Sequence, residues 1–190
     1  MKMLINTFQI LLVAVLVMAG SALQAQQTLT LNGNSELKVS GTSTIHDWDM
    51  VSNTGQSGKA TMKMENGKIT ELKALQLTMP VSTLKSGRSA MDKNAYEALK
   101  AKDNPNVQFQ LTEVLSITDN TIKAKGNLTV AGTTKNVPME VNYKVNGSTV
   151  EFTGTQDIKF TQFNISPPSA VFNTIKTGDD LTLSFNATFK

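Results

Sequence analysis

From Leu37 onward, apolar and polar residues alternate along most of this chain. Successive side chains of an extended backbone point to opposite faces, so a period of two marks strands with one buried and one wet face. Leu37 and Val39 alternate with Lys38 and Ser40, and Gly41 then interrupts the period as a bend or bulge would. Ala60, Met62 and Met64 oppose Lys59, Thr61, Lys63 and Glu65. Asn66-Gly67 predicts a two-residue hairpin turn, which needs positive φ at its centre. Leu75, Leu77 and Met79 form the inward set of the next strand, which Pro80 ends. Val107, Phe109 and Leu111, continued past Glu113 by Leu115 and Ile117, predict a further strand. Ile122, Ala124, Gly126, Leu128 and Val130 alternate almost strictly with polar residues, as do Val137, Met139, Val141, Tyr143 and Val145. Ala131-Gly132-Thr133-Thr134 joins those two, and Asn146-Gly147 predicts another hairpin. Val150, Phe152, Gly154, Ile158 and Phe160, then the stretch from Leu181 to Phe189, complete the set.

The period changes to about 3.6 once, over Ser89 to Ala101. Met91, Ala95, Ala98 and Leu99 make one apolar stripe there. Ser89 is the expected N-cap with Asp92 in the capping-box position, and Asp103-Asn104-Pro105 stops the helix. Thr28 to Asn34 reads as a polar leader and Ser52 to Gly58 as a loop. The prediction is therefore an all-β chain of about eight antiparallel strands with one short helical insertion. One-sided strands exclude a buried parallel sheet. Several of them exceed the usual strand length of about 5 to 6 residues, which favours a barrel over a sandwich.

The first 25 residues change the domain count. Lys2 precedes an apolar run from Ile10 to Ala19, and Gly20, Ser21, Ala22 and Ala25 follow. This reads as a secretory signal peptide over 1–25, leaving 26–190 as one domain. The run is shorter than the roughly 20 residues of a membrane span, so cleavage is expected, with no stable membrane anchor and a periplasmic or secreted location. Removing Lys2 lowers the net charge of +3 by one, and the remaining lysines are scattered without interleaved aromatics, so nucleic acid is not an expected partner. With no cysteine, the chain has no disulfide framework, thiol nucleophile or thiolate metal site.

Chemistry concentrates at one place. The only histidine and the only tryptophan are His46 and Trp48, on one face of an extended chain, with Asp47 and Asp49 on the other. A hydrolase needs a nucleophile and a positioned base, yet His46 is the sole ordinary base and no Gly-x-Ser-x-Gly occurs. One histidine with carboxylates turned away from it makes a poor metal site. Two readings of the pair remain: a structural one, in which a hydrogen-bonded histidine and a tryptophan seal the core, and a binding one, in which His46 meets a ligand head group and Trp48 its chain. Met62, Met64, Met79 and Met139 are core filler or an adaptable pocket wall.

Five blocks taken in order carry a resemblance: Gly41-Thr42-Ser43-Thr44-Ile45-His46-Asp47-Trp48; Ser82 to Gly87 followed by Met91 to Lys100; Asn104 to Phe109; Gly126 to Lys135; and Phe163-Asn164-Ile165-Ser166-Pro167-Pro168. From about Leu37 to the C-terminus the chain resembles the YceI-like family, in particular the branch common in Bacteroidetes. The resemblance implies a lipocalin-like barrel whose interior holds an isoprenoid chain or a related amphiphile, with export to the periplasm. The expected partner is a polyisoprenoid, an isoprenoid quinone or a fatty-chain amphiphile, with a homodimer as an option; no enzymatic activity, cofactor or metal is expected. The expected ligand-binding residues at the mouth are Ile45, His46, Trp48, Leu84 and Met91. Along the interior they are Leu77, Met79, Phe109, Leu111, Phe152, Phe160, Phe163, Phe172 and Phe185. The competing expectation is a structural or stress-response envelope protein whose barrel is filled by its own side chains.

Overall fold

The computed structural model describes residues 26–33, 35–170 and 174–190; the expected signal peptide and Phe172 lie outside them. The chain forms β1 (Gln27–Thr30), β2 (Glu36–Ser43), β3 (Trp48–Ser52), β4 (Ser57–Glu65), β5 (Lys68–Pro80), helix α1 (Ser89–Ala98), β6 (Asn106–Ile117), β7 (Thr121–Val130), β8 (Thr133–Asn146), β9 (Thr149–Lys159), the two-residue β10 (Ser169–Ala170) and β11 (Ile175–Phe189). Ten strands follow one another in the order β1-β4-β5-β6-β7-β8-β9-β11-β2-β3, and β10 pairs with β11. All the pairings are antiparallel.

Besides the two-residue β10, the eight expected strands gain two more that carry too little apolar alternation to read. β1 buries only Leu29, so the segment taken as a leader is a strand whose other residues face water. β3 turns Met50 and the polar Ser52 inward, which hides its period. Ser52 is nonetheless fully satisfied: Gln56 Nε2 donates to its hydroxyl at 3.0 Å, the hydroxyl donates to Thr83 Oγ1 at 2.6 Å, and Thr83 donates to the Pro80 carbonyl at 2.7 Å.

The sheet curls until its ends are tied. Leu31, just past β1, bridges Phe189, and Thr30 and Lys190 exchange hydrogen bonds of 2.8 and 2.9 Å. At the other edge Val51 of β3 and Lys85 exchange two of 2.8 Å. Bulges supply much of the curl, since an unpaired extra residue bends and twists its strand. The β4–β5 and β6–β7 ladders each shift register twice. Within β6 the shifts turn Val114 and Ile117 toward the core and Leu115 outward, 52% exposed, which corrects the strict alternation expected there.

Turn chemistry follows the residues closely. Asn66-Gly67 and Ala131-Gly132 have positive φ at both positions, as a type I′ hairpin turn requires. The β8–β9 turn is centred on Gly147-Ser148 rather than Asn146-Gly147: Asn146 pairs with Thr149 and only Gly147 has positive φ, the type II′ pattern. Helix α1 departs from its expected cap. Ser89 is its first residue, Arg88 stands at the N-cap without a side-chain bond, and the helix ends at Ala98. Asp92 instead accepts hydrogen bonds from the Ser86 backbone N–H (2.8 Å) and hydroxyl (2.7 Å), closing the turn that leads in.

Candidate functional site

The inward faces leave a cavity of about 500 Å³. One end is packed shut by Met62, Val150, Phe152 and Phe189, the two phenylalanines meeting edge to face at 5.7 Å. At the other end the wall passes to the turn after β2, the start of α1, the approach to β10 and the first residue of β11, through Ile45, Arg88, Met91, Pro168 and Ile175. Helix α1 buries none of its residues fully, and its stripe of Met91, Ala95, Ala98 and Leu99 faces this space. An apolar helical stripe normally ends against a packed core. Here Met91, Ala95 and Leu99 pack against Met50, Met79 and Leu84 and also border the lumen.

Three aromatic rings are laid against the wall over glycines. A Cβ at Gly41 would sit 2.5 Å from Trp48 Cζ2, one at Gly126 would sit 2.2 Å from Phe109 Cζ, and one at Gly154 would sit 2.7 Å from Phe185 Cζ. Gly41 pairs with Trp48 and Gly154 with Phe185 across neighbouring strands. Absent side chains let these rings lie flat, which keeps the lumen clear. Gly41 is therefore no bend. It stays in register with Trp48, and the irregularity falls on β11 between Thr177 and Leu181.

Thirteen of the fourteen expected residues meet at this one cavity: Ile45, His46, Trp48, Leu77, Met79, Leu84, Met91, Phe109, Leu111, Phe152, Phe160, Phe163 and Phe185. Phe163 and Leu84 are almost wholly buried, so they shape the wall from behind, whereas Ile45 is 61% exposed at the rim. Of the methionines, Met62 packs in the closed end and Met64 against it, while Met79 and Met139 line the cavity.

His46 and Trp48 keep a common side, but the segment from Thr44 to Asp47 is a turn rather than strand. The Ser43 N–H and hydroxyl both donate to the His46 carbonyl, at 3.0 and 2.7 Å, and fix it. His46 Nδ1 lies 2.8 Å from the Asp47 carbonyl. A carbonyl only accepts, so Nδ1 carries the proton and Nε2 is left as an acceptor. Its partner is Arg88 Nη1 at 3.4 Å, reaching across from the start of α1. Trp48 Nε1 donates to the Thr42 carbonyl at 3.0 Å, so its polar edge is satisfied while its rings face the lumen.

Arg88 was not among the expected residues. A signal for it exists: it is the only arginine among the 18 cationic side chains, and it meets the only histidine. What hides it is the 42-residue separation, which no periodicity spans. Among the described residues no three His, Asp or Glu side chains are arranged to hold a metal ion.

A family described as YceI-like domain matches residues 24–189 of the chain. No curated protein matches it in sequence. Among solved structures, BcnA from Burkholderia cenocepacia superposes with a TM-score of 0.69 at 18% identity, covering 83% of this chain and 98% of that one. A polyisoprenoid binding domain from Saccharophagus degradans, implicated in plant cell wall breakdown, gives 0.66 at 9% identity over 85% and 97%. A YceI protein from Campylobacter jejuni gives 0.55 at 19% identity over 69% and 79%. At such identities the likeness is one of fold.

Proposed function

This chain belongs to the YceI-like family, and we propose on that premise that it is an exported binding protein holding the chain of an isoprenoid or similar lipid-like amphiphile inside its barrel. The observation that carries this reading is the apolar cavity of about 500 Å³, closed at one end and reaching the rim at the other. Ligand pockets usually measure about 300 to 1,000 Å³. A chain that fills this space gains about 0.8 kcal/mol for each buried CH2. The same volume argues against a barrel filled by its own side chains.

The role is binding rather than turnover, with carriage or storage across the periplasm as the physiological use. Export rests on the sequence of residues 1–25. The polyisoprenoid named for the Saccharophagus degradans domain suits the volume and apolar lining of this lumen. Organic extraction of the purified protein followed by mass spectrometry tests the reading. A stoichiometric polyprenyl or fatty chain is expected. An extract free of amphiphile, together with no uptake of added geranylgeraniol, would overturn it.

A further inference from the structure

The cavity wall includes Lys38, His46, Arg88 and Lys159 and not one of the chain's 15 acidic side chains. Carboxylates do stand close by, since Asp47, Asp49, Asp157 and Asp180 share a shallow depression with Trp48. None of those four lines the lumen. Lys159 is committed to an ion pair with Asp180. Arg88 joins no ion pair among the described residues, and the carboxylate of the first turn of α1, Asp92, is held by Ser86 instead. Among the described residues the Arg88 guanidinium therefore stands at the mouth with a single hydrogen-bond partner, His46 Nε2. That contact occupies one of five N–H donors and leaves the other four free to meet a ligand.

We propose that Arg88 recognises the headgroup of the bound amphiphile, that His46 positions it, and that the ligand class is a single lipid chain ending in a phosphate or carboxylate. The inference rests on the reading that the lumen takes such a chain. Arginine's rigid fork matches both acidic groups bidentately, which a lysine at the same place could not do. An acidic headgroup also supplies the countercharge that the wall lacks. A neutral quinone or alcohol would leave the guanidinium unpaired.

Titrations of geranylgeranyl phosphate, geranylgeraniol and inorganic phosphate, followed through the fluorescence of the single tryptophan and by calorimetry, test it. The wild-type protein should bind the phosphate roughly tenfold tighter than the alcohol, about the value of one charge-assisted contact. Arg88→Gln should bring that ratio within about twofold, with Arg88→Lys intermediate. His46→Ala should lower the ratio by about half of the Arg88→Gln effect, since the guanidinium remains but loses its anchor. Inorganic phosphate should neither bind at millimolar concentration nor displace the lipid, which identifies a chain-borne headgroup. Equal affinity for phosphate and alcohol, an undiminished ratio in Arg88→Gln, or tight binding of free phosphate would each overturn the proposal while leaving chain binding intact. Failure of both lipids to bind would overturn the underlying reading and this inference with it.

Discussion

At the scale of single residues, the lumen depends on what three glycines lack. Gly154 directly faces Phe185, and a methyl group there would lie 2.7 Å from the ring and 3.1 Å from the Glu140 carbonyl oxygen. The carbonyl belongs to the sheet and cannot retreat, so in Gly154→Ala the ring must swing into the cavity. Overpacking of this kind costs about 1 to 3 kcal/mol. Thermal melts of Gly154→Ala should show a loss in that range and chain titrations a weaker affinity. An unchanged melting temperature and affinity would mean that the ring is not held by the glycine. The same argument applies to Gly41→Ala, where the displaced group is the indole of Trp48, so its emission should shift. Gly126 and Gly154 stand at inward positions of the apolar alternation, so their placement is legible in the sequence. Their covering rings are not. Phe185 is far along the chain from Gly154, and a period within one strand says nothing about which strand lies beside it.

At the scale of elements, α1 is held across the mouth by polar bonds as well as by the packing of its stripe on Met50, Met79 and Leu84. The Tyr96 hydroxyl shares its proton between the Ser82 and Leu84 carbonyls, at 3.0 and 2.8 Å, and accepts from Lys85 Nζ at 2.7 Å. Tyr96→Phe removes all three and should lower stability by about 1 to 2 kcal/mol, measurable by urea denaturation. Asp92 adds a pH-dependent tie. Its partial burial opposes ionisation, but the two bonds from Ser86 and the charge of Lys85 outweigh this and hold its carboxyl below the usual aspartate range. A carboxyl with a depressed folded-state value adds stability throughout the range above its unfolded value of about 3.9, and that stability is lost as pH falls through the folded value. Wild type should therefore melt higher than Asp92→Asn near neutral pH, and the difference should shrink once pH drops below about 4 and vanish below the folded value. A difference that persists in strong acid would remove the ionised Asp92 from the account. The helix itself is legible from its 3.6 period. Its cap is not, because Asp92 reaches back to Ser86 rather than to the residue three before it. The bulges of β5 and β6 are equally hidden, since an extra residue looks the same as an ordinary alternation until its partner strand is known.

At the scale of the whole molecule, one-sided strands announce an all-β shell around a single interior. They cannot say whether that interior is full. Side-chain volumes along one strand do not fix the volume enclosed by ten, which depends on curl, shear and the flat placement of the rings. The candidate residues lie around one cavity because inward-facing positions of a curled sheet converge on one space whatever the exact register. A substitution that fills this space should separate folding from binding. Leu183 lines the cavity from β11, and Leu183→Trp places a larger ring in the lumen. Its melting temperature should hold or rise, because the new ring occupies void rather than packed core, while affinity for a lipid chain should fall at least about tenfold.

Native mass spectrometry of the protein titrated with geranylgeraniol measures the central claim most directly. A saturable adduct of one chain per protein is predicted for the wild type, and its loss for Leu183→Trp. A wild-type spectrum without a saturable adduct, or an adduct equally abundant in Leu183→Trp, would contradict a binding site inside the barrel.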